Sequence, residues 1–217
     1  MYNHDDFKYN SDDKVCGLTK DIEYYDEYYW DLISSQIKLT PEFIEEYFNY
    51  LDLDMIILRQ ELSEKLIEEH LDKFKMYDII AHQKVSEDFL YRHKDDITSQ
   101  IWKDIIPERQ KLSEKFIREN DGTLCYLALS TYQQLPEDYI IEHLDKFKFV
   151  NIILYQKVSE DFLRKYKDNI HWRLVACKQV LSESFIEEFF DKLDTGLILK
   201  HQILSKEFAQ RLKSRWV

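Results

Sequence analysis

A phrase of the form Ser-Glu-x-Phe-Ile returns along the chain, its first residue falling at Thr40, Ser63, Ser86, Ser113, Pro136, Ser159, Ser182 and Ser205. The step is 23 residues everywhere except between Ser86 and Ser113, where it is 27. A fixed period this short points to one kind of architecture, a stack of small supersecondary units, each burying its apolar face against its neighbours. Longer strings also recur: LDKFK at 71–75 returns at 144–148, and QKVSEDFL at 83–90 returns at 156–163. A block of three units has therefore been duplicated.

Each column of the repeat has a physical reason. The Ser or Thr has the side chain of a helix N-cap, and the Glu after it (Glu64, Glu87, Glu114, Glu160, Glu183) falls in the first turn, where the helix dipole favours negative charge. Pro41 takes the same slot in its unit, where its missing N–H costs nothing. Two apolar residues follow in nearly every unit, for example Phe43/Ile44, Phe89/Leu90, Phe162/Leu163 and Phe185/Ile186, and they give a first helix one buried face. That helix is expected to end near an anchoring apolar residue such as Phe74, Ile97, Phe147, Ile170 or Leu193. A second short helix then carries Ile56/Ile57, Ile79/Ile80, Ile152/Ile153 or Ile198/Leu199, and the Leu or Val before the next cap has the place of a hydrophobic staple. Helices of about 8 to 10 residues do not persist alone in water, so they must stack.

The expected fold is all-α, an α-solenoid of about eight short two-helix repeats. Residues 40–217 form one continuous repeat domain behind an acidic, tyrosine-rich cap at 1–39 that holds one degenerate unit. The longer unit carries an insertion around Ser99 to Trp102, with Pro107 nearby, and a local bulge or kink is expected there. Only three Gly and three Pro occur in 217 residues, too little turn chemistry for an all-β fold.

Composition narrows function mainly by exclusion. A net charge of −12 argues against a nucleic-acid or anionic-membrane surface, which needs clustered Lys and Arg. Cys16, Cys125 and Cys177 show no metal or redox spacing and are expected to be idle thiols, the latter two in the core, in a reducing cytoplasmic setting. No apolar run approaches the roughly 18 residues of a membrane span, and the start of the chain is too acidic for a secretion signal. No HExxH, GxSxG or Gly-rich phosphate loop is present, the recurring serines are explained as caps, and no catalytic residue, cofactor or metal is expected.

Three columns remain as candidates. A Gln stands three residues before the cap in seven successive units (Gln60, Gln83, Gln110, Gln133, Gln156, Gln179, Gln202). It is expected to bond orphan backbone groups between helices, the alternative being a ladder that reads a bound peptide backbone. The residue before it varies but stays able to make polar contacts: Arg59, His82, Arg109, Tyr132, Tyr155, Lys178 and His201. A column constant in position and variable in identity is where a solenoid places specificity, and Arg, Tyr and His suit contact hot spots; the alternative is a solvated helix edge. His70, His93 and His143 share a column of the first helix, but layers about 9–10 Å apart keep their nitrogens from one ion, so partly buried histidines are expected. Separately, Asp21, Glu23, Tyr24, Asp26, Glu27, Tyr28 and Trp30 form an acidic aromatic run, read as a cap helix or as a docking element for a basic surface.

The phrases LSEKFI, VSEDFL and LSESFI, followed by Asp, an aromatic and Gln-Lys, resemble short tandem repeats of uncharacterised giant-virus and phage proteins over about residues 40–213. The layout is similar to leucine-rich-variant and HEAT-like solenoids, without their usual Pro and Arg markers. The resemblance implies a helical scaffold and no shared reaction. The expected function is a non-enzymatic protein-interaction scaffold, a viral protein that binds and inhibits a host defence protein. Its partner is a protein, a basic or nucleic-acid-binding host protein being one form of it. The alternatives are an acidic mimic of nucleic acid and, last, an enzyme built on the solenoid.

Overall fold

The computed structural model describes residues 27–36 and 38–215. Among them it is all-helical, without a β-strand. The helices in chain order are α1 (Glu27–Gln36), α2 (Pro41–Tyr47), α3 (Leu53–Arg59), α4 (Glu64–Glu69), α5 (Met76–His82), α6 (Glu87–Arg92), α7 (Ile106–Arg109) and α8 (Glu114–Glu119). They continue with α9 (Tyr126–Tyr132), α10 (Glu137–Glu142), α11 (Phe149–Tyr155), α12 (Glu160–Lys165), α13 (Trp172–Lys178), α14 (Glu183–Glu188), α15 (Thr195–His201) and α16 (Lys206–Arg215). Even-numbered helices open at the recurring caps and odd-numbered ones close each repeat, which is the α-solenoid expected from the period. The described residues form two compact units divided between Ile101 and Trp102, inside the 27-residue repeat. The insertion there takes the form of a π-helical turn, Ile101–Ile105, ahead of α7.

The caps are as the sequence requires. Thr40, Ser63, Ser86, Ser113, Ser159, Ser182 and Ser205 each accept, at 3.1–3.2 Å, the backbone N–H three residues on. Pro136 has no such oxygen, and α10 starts without a side-chain cap. All six even helices from α4 to α14 stop after six residues, short of the expected anchor: the residue after them, His93, Asn120 or Tyr166 for example, leaves helical dihedrals at ψ near 19–25°. Phe147, Ile170 and Leu193 are still buried, but in the turn leading to the odd helix.

The core is the set of paired apolar columns. Ile79, Ile80, Phe89, Leu90, Ile152, Ile153 and Leu163 are fully buried, and each such side chain contributes about 1.5–3 kcal/mol on leaving water. Within each unit successive odd helices pack directly on one another, α1 on α3, α3 on α5, and α7 through α15 in series, while no two even helices approach as closely. The odd row is thus the tight side of each unit.

What fixes one layer on the next is the glutamine column. The Gln156 amide oxygen accepts from the Leu135 N–H at 2.9 Å, and its NH2 donates to the Ser130 and Gln133 carbonyls at 2.7 and 2.8 Å. Gln83, Gln133, Gln179 and Gln202 repeat the same three bonds to the preceding repeat. Gln60 bonds the Leu39 N–H and the Ser34 carbonyl. The carbonyls are those a helix leaves unpaired at its C-terminus. Only a planar amide on a two-carbon stem offers one acceptor and two donors at this reach, which is why Gln recurs.

The first-turn glutamates add a second tie. Glu64 accepts from the Ser86 N–H and hydroxyl at 2.7 and 2.9 Å, Glu137 likewise from Ser159, and Glu160 and Glu183 from the Ser182 and Ser205 N–H groups at 2.6 Å. Glu114 faces Pro136, which has no N–H to give, and pairs with Arg118 instead.

Candidate protein-binding surface

All seven members of the variable column, Arg59, His82, Arg109, Tyr132, Tyr155, Lys178 and His201, are the last residue of an odd helix, and all seven are exposed. The ladder explains the contrast with the next position. The Gln must turn back into the layer interface, where Gln60, Gln83, Gln110, Gln133, Gln156 and Gln179 are buried, so the residue before it points outward. Because their polar atoms are spent on backbone groups, the glutamines do not read a bound peptide.

In the second unit the variable column belongs to a wider surface. Leu127 and Val150 are exposed on the outer side of α9 and α11, and Val180 and Ile203 stand 89% and 98% exposed in the loops after α13 and α15. From α9 onward the odd helices of this unit lie in the runs 122–136, 146–158, 169–181 and 195–204, and none of these contains an Asp or Glu, whereas α7 carries Glu108, paired with Arg109 at 3.0 Å, and Asp194 caps α15. Lys157, Lys178 and Lys200 are exposed and make no ion pair among the described residues, whereas Arg173 meets Asp194 at 3.3 Å. In a chain of net charge −12, ten carboxylates of this unit lie on the helices of the other row.

There, α8, α10, α12 and α14 carry ten carboxylates against four cations. Arg118 holds Glu114, Asp138 and Glu142 at 2.7–2.8 Å, and Arg164 holds Glu188 and Asp161 at 2.9 and 3.0 Å. Glu137, Glu160 and Glu183 hold the next caps, Glu119 meets Lys115, and Glu187 meets Arg211, so every one of the ten is engaged within the chain. The hydrogen bonds that Arg118 donates to Glu114 and Glu142 raise its pKa further above its ordinary value.

The densest polar cluster lies where repeats meet at Gly122. Asp121 accepts from the Tyr126 and Tyr139 hydroxyls at 2.9 and 2.7 Å and faces His143 Nε2 at 2.9 Å. Gly122, at φ +77°, makes the turn that presents it. Burial alone would push the Asp121 carboxyl up, but the bonds from Tyr139, Tyr126 and His143 outweigh it and hold the carboxyl below its usual range. Burial and the bond to Asp121 push Tyr126 up to about 12, and the same causes raise Tyr139. Because Tyr126 lies on α9 and Tyr139 on the next helix, α10, the cluster clasps neighbouring layers. A depressed carboxyl contributes stability above its unfolded pKa, near 4, and loses it as pH falls through the folded value. Asp121→Asn is therefore expected to cost about 1 kcal/mol at pH 7, given the partial exposure, with the gap to wild type closing below about pH 4 in urea titrations.

The histidine column is structural. His70 stacks on Phe48 at 3.9 Å, His93 Nε2 meets Glu68 at 2.9 Å, and no group of metal-binding side chains occurs among the described residues. Cys125 and Cys177 are partly exposed, a correction to their expected place in the core: one precedes α9, the other lies on the outer side of α13. Of the acidic aromatic run, Asp21, Glu23, Tyr24 and Asp26 lie outside the described residues, while Glu27 and Tyr28 open α1. Trp30 is buried and stacked on Tyr50 at 5.2 Å, so it packs on the first repeat and is not offered for docking.

Sequence reasoning missed the carboxylate-free runs, although they can be read from the sequence once the odd helices are located. Comparison of the chain with protein-family models, with curated proteins and with solved structures finds no match in any of the three, so the surface itself carries the case for function.

Proposed function

We propose that this chain is a non-enzymatic protein-interaction scaffold that binds its partner along the exposed side of the odd row. The observation that carries this is the segregation in the second unit: α9, α11, α13 and α15 carry no carboxylate and, with their loops, expose Tyr, Val, Ile and Lys, while the even helices are acidic and internally paired. Exposed tyrosines and apolar side chains beside cations are the composition of contact hot spots. Isolated exposed apolar residues are ordinary, but a series of them along one row of a solenoid marks an interaction face. The resemblance to giant-virus and phage repeats supports a host protein as the partner, with inhibition of a defence factor in the cytoplasm as the biological sense. No helix among the described residues is long and apolar enough to cross a membrane.

A second reading, a mimic of nucleic acid, has the acidic even row in its favour. It is the weaker one, because all ten carboxylates there are already bonded within the chain. The two differ in salt dependence: binding by a charge mimic collapses between about 50 and 300 mM salt, while binding through an apolar row weakens much less.

The test is capture from a host lysate by the intact protein and by a variant with Arg59, His82, Arg109, Tyr132, Tyr155, Lys178 and His201 changed to Ala, its helicity first verified by circular dichroism. A partner held by the intact chain and lost by the folded variant is expected. A partner held equally by both would remove the odd row as the binding face.

A further inference from the structure

Resting on that reading, we infer that the odd row of the second unit takes an extended protein segment in which carboxylates alternate with aromatic or aliphatic residues. The surface is built for a negative partner. Lys157, Lys178 and Lys200 stand on three successive layers, exposed and without an ion pair among the described residues, while the arginines of the even row, Arg118 and Arg164, bridge to carboxylates of the next repeat. No acidic side chain on α9, α11, α13 or α15 offsets them. An incoming carboxylate thus gains an unpaired ammonium and meets no like charge, whereas a basic segment meets three lysines and nothing to pair with.

Spacing and apolar content select the rest. Lys157 follows the ladder Gln of its layer by one residue, Lys178 precedes its Gln by one and Lys200 by two, so all three lie near the end of an odd helix. Layers about 9–10 Å apart match carboxylates about three residues apart on one face of a polyproline II segment, which rises about 3.1 Å per residue with about three residues per turn, so three cations span roughly seven residues. On the same row, Tyr132, Tyr155 and Val180 offer exposed apolar area that a nucleic acid would leave unused. Three unpaired lysines on a chain of net charge −12 are also too few for polyphosphate binding, which scales with the number of phosphates neutralised. This segment chemistry is the reverse of a basic partner: it places acidic groups on the partner and the cations here.

The experiment is selection of a displayed library of random 12-residue peptides on the intact protein, followed by anisotropy titration of labelled winners against two variants, Lys157→Glu/Lys178→Glu/Lys200→Glu and Tyr132→Ala/Tyr155→Ala. All five side chains are exposed, so both variants are expected to keep the wild-type circular dichroism spectrum. Winners are expected to be enriched at least threefold in Asp and Glu over the unselected library, to carry Phe, Tyr or Leu, and to bind the charge-reversal variant at least tenfold more weakly. Neutral or basic winners that lose binding only in the tyrosine variant would overturn the acidic occupant while leaving the odd row as the face. Winners unaffected by either variant would overturn both. Failure to enrich any peptide, tighter binding of an oligothymidine probe than of any peptide, or self-association of the protein abolished by the charge reversal would each overturn the inference.

Discussion

Gln156→Ala is expected to destabilise the protein by about 3–5 kcal/mol, a large part of the 5–15 kcal/mol that holds a typical domain. The substitution removes few apolar contacts. What it leaves is a Leu135 N–H and the Ser130 and Gln133 carbonyls, all deprived of the partner that reached them from the next layer. Each buried group left unpaired costs about 1–3 kcal/mol, and the costs do not add fully because the layers relax. Gln156→Glu separates hydrogen bonding from shape. It keeps the size and the acceptor, but in place of the NH2 it sets a carboxylate oxygen against two carbonyl oxygens. Burial and that repulsion raise the folded pKa of the new carboxyl above its unfolded value, so the folded state holds the proton more tightly. The variant is therefore least destabilised at mildly acidic pH and loses stability as pH rises toward 7, a trend urea titrations at pH 5 and pH 7 would reveal. Equal stability of wild type and Gln156→Ala would remove the ladder as the tie between layers.

Phe162→Ala is expected to cost a further class of energy, about 3–5 kcal/mol, by emptying the core between two layers. The ring is 2% exposed and lies with its centroid 4.7 Å from Tyr166 and 6.4 Å from Phe149. For a unit of about a hundred residues that loss lowers the melting temperature by about 15 °C or more. Tyr155→Ala is the matched control: a large aromatic is again removed, but from an exposed position at the end of α11, and the expected change is within about 0.5 kcal/mol. Thermal melts of the two variants followed by circular dichroism separate core from surface in neighbouring repeats.

These two cases also mark what could be read from the amino-acid string. Phe162 belongs to an apolar column at helical spacing, and its burial follows from the pattern alone. The cap serines and a local bulge at the 27-residue step were equally legible, because caps and insertions act within a single repeat, though the π-helical form of that bulge was not. The partners of Gln156 were legible in kind, orphan backbone groups, but not in number or direction, since that depends on how one layer sits on the next. Glu137 shows the same limit more sharply: as a first-turn residue it reads as a dipole partner of its own helix, yet it holds the Ser159 cap 22 residues on. The Asp121 clasp was missed because its tyrosine and histidine partners come from two separate helices that only the fold brings together. On the surface, the exposure of Tyr132, Tyr155 and Lys178 follows from their place before a buried Gln. The absence of carboxylates around them becomes visible only when the runs 122–136, 146–158, 169–181 and 195–204 are assigned to one row.

A division of work is thus proposed between adjacent residues in each repeat, the Gln joining layers and its exposed neighbour meeting the partner. Amide hydrogen exchange of the protein, alone and with a selected acidic peptide, tests both halves at once. The Leu135, Val158 and Leu181 amides, which donate to the ladder, are predicted to be protected in both states, while amides at the ends of α9, α11 and α13 slow only when the peptide is present. Rapid exchange at the three ladder amides, or peptide-induced protection confined to α10, α12 and α14, would contradict it.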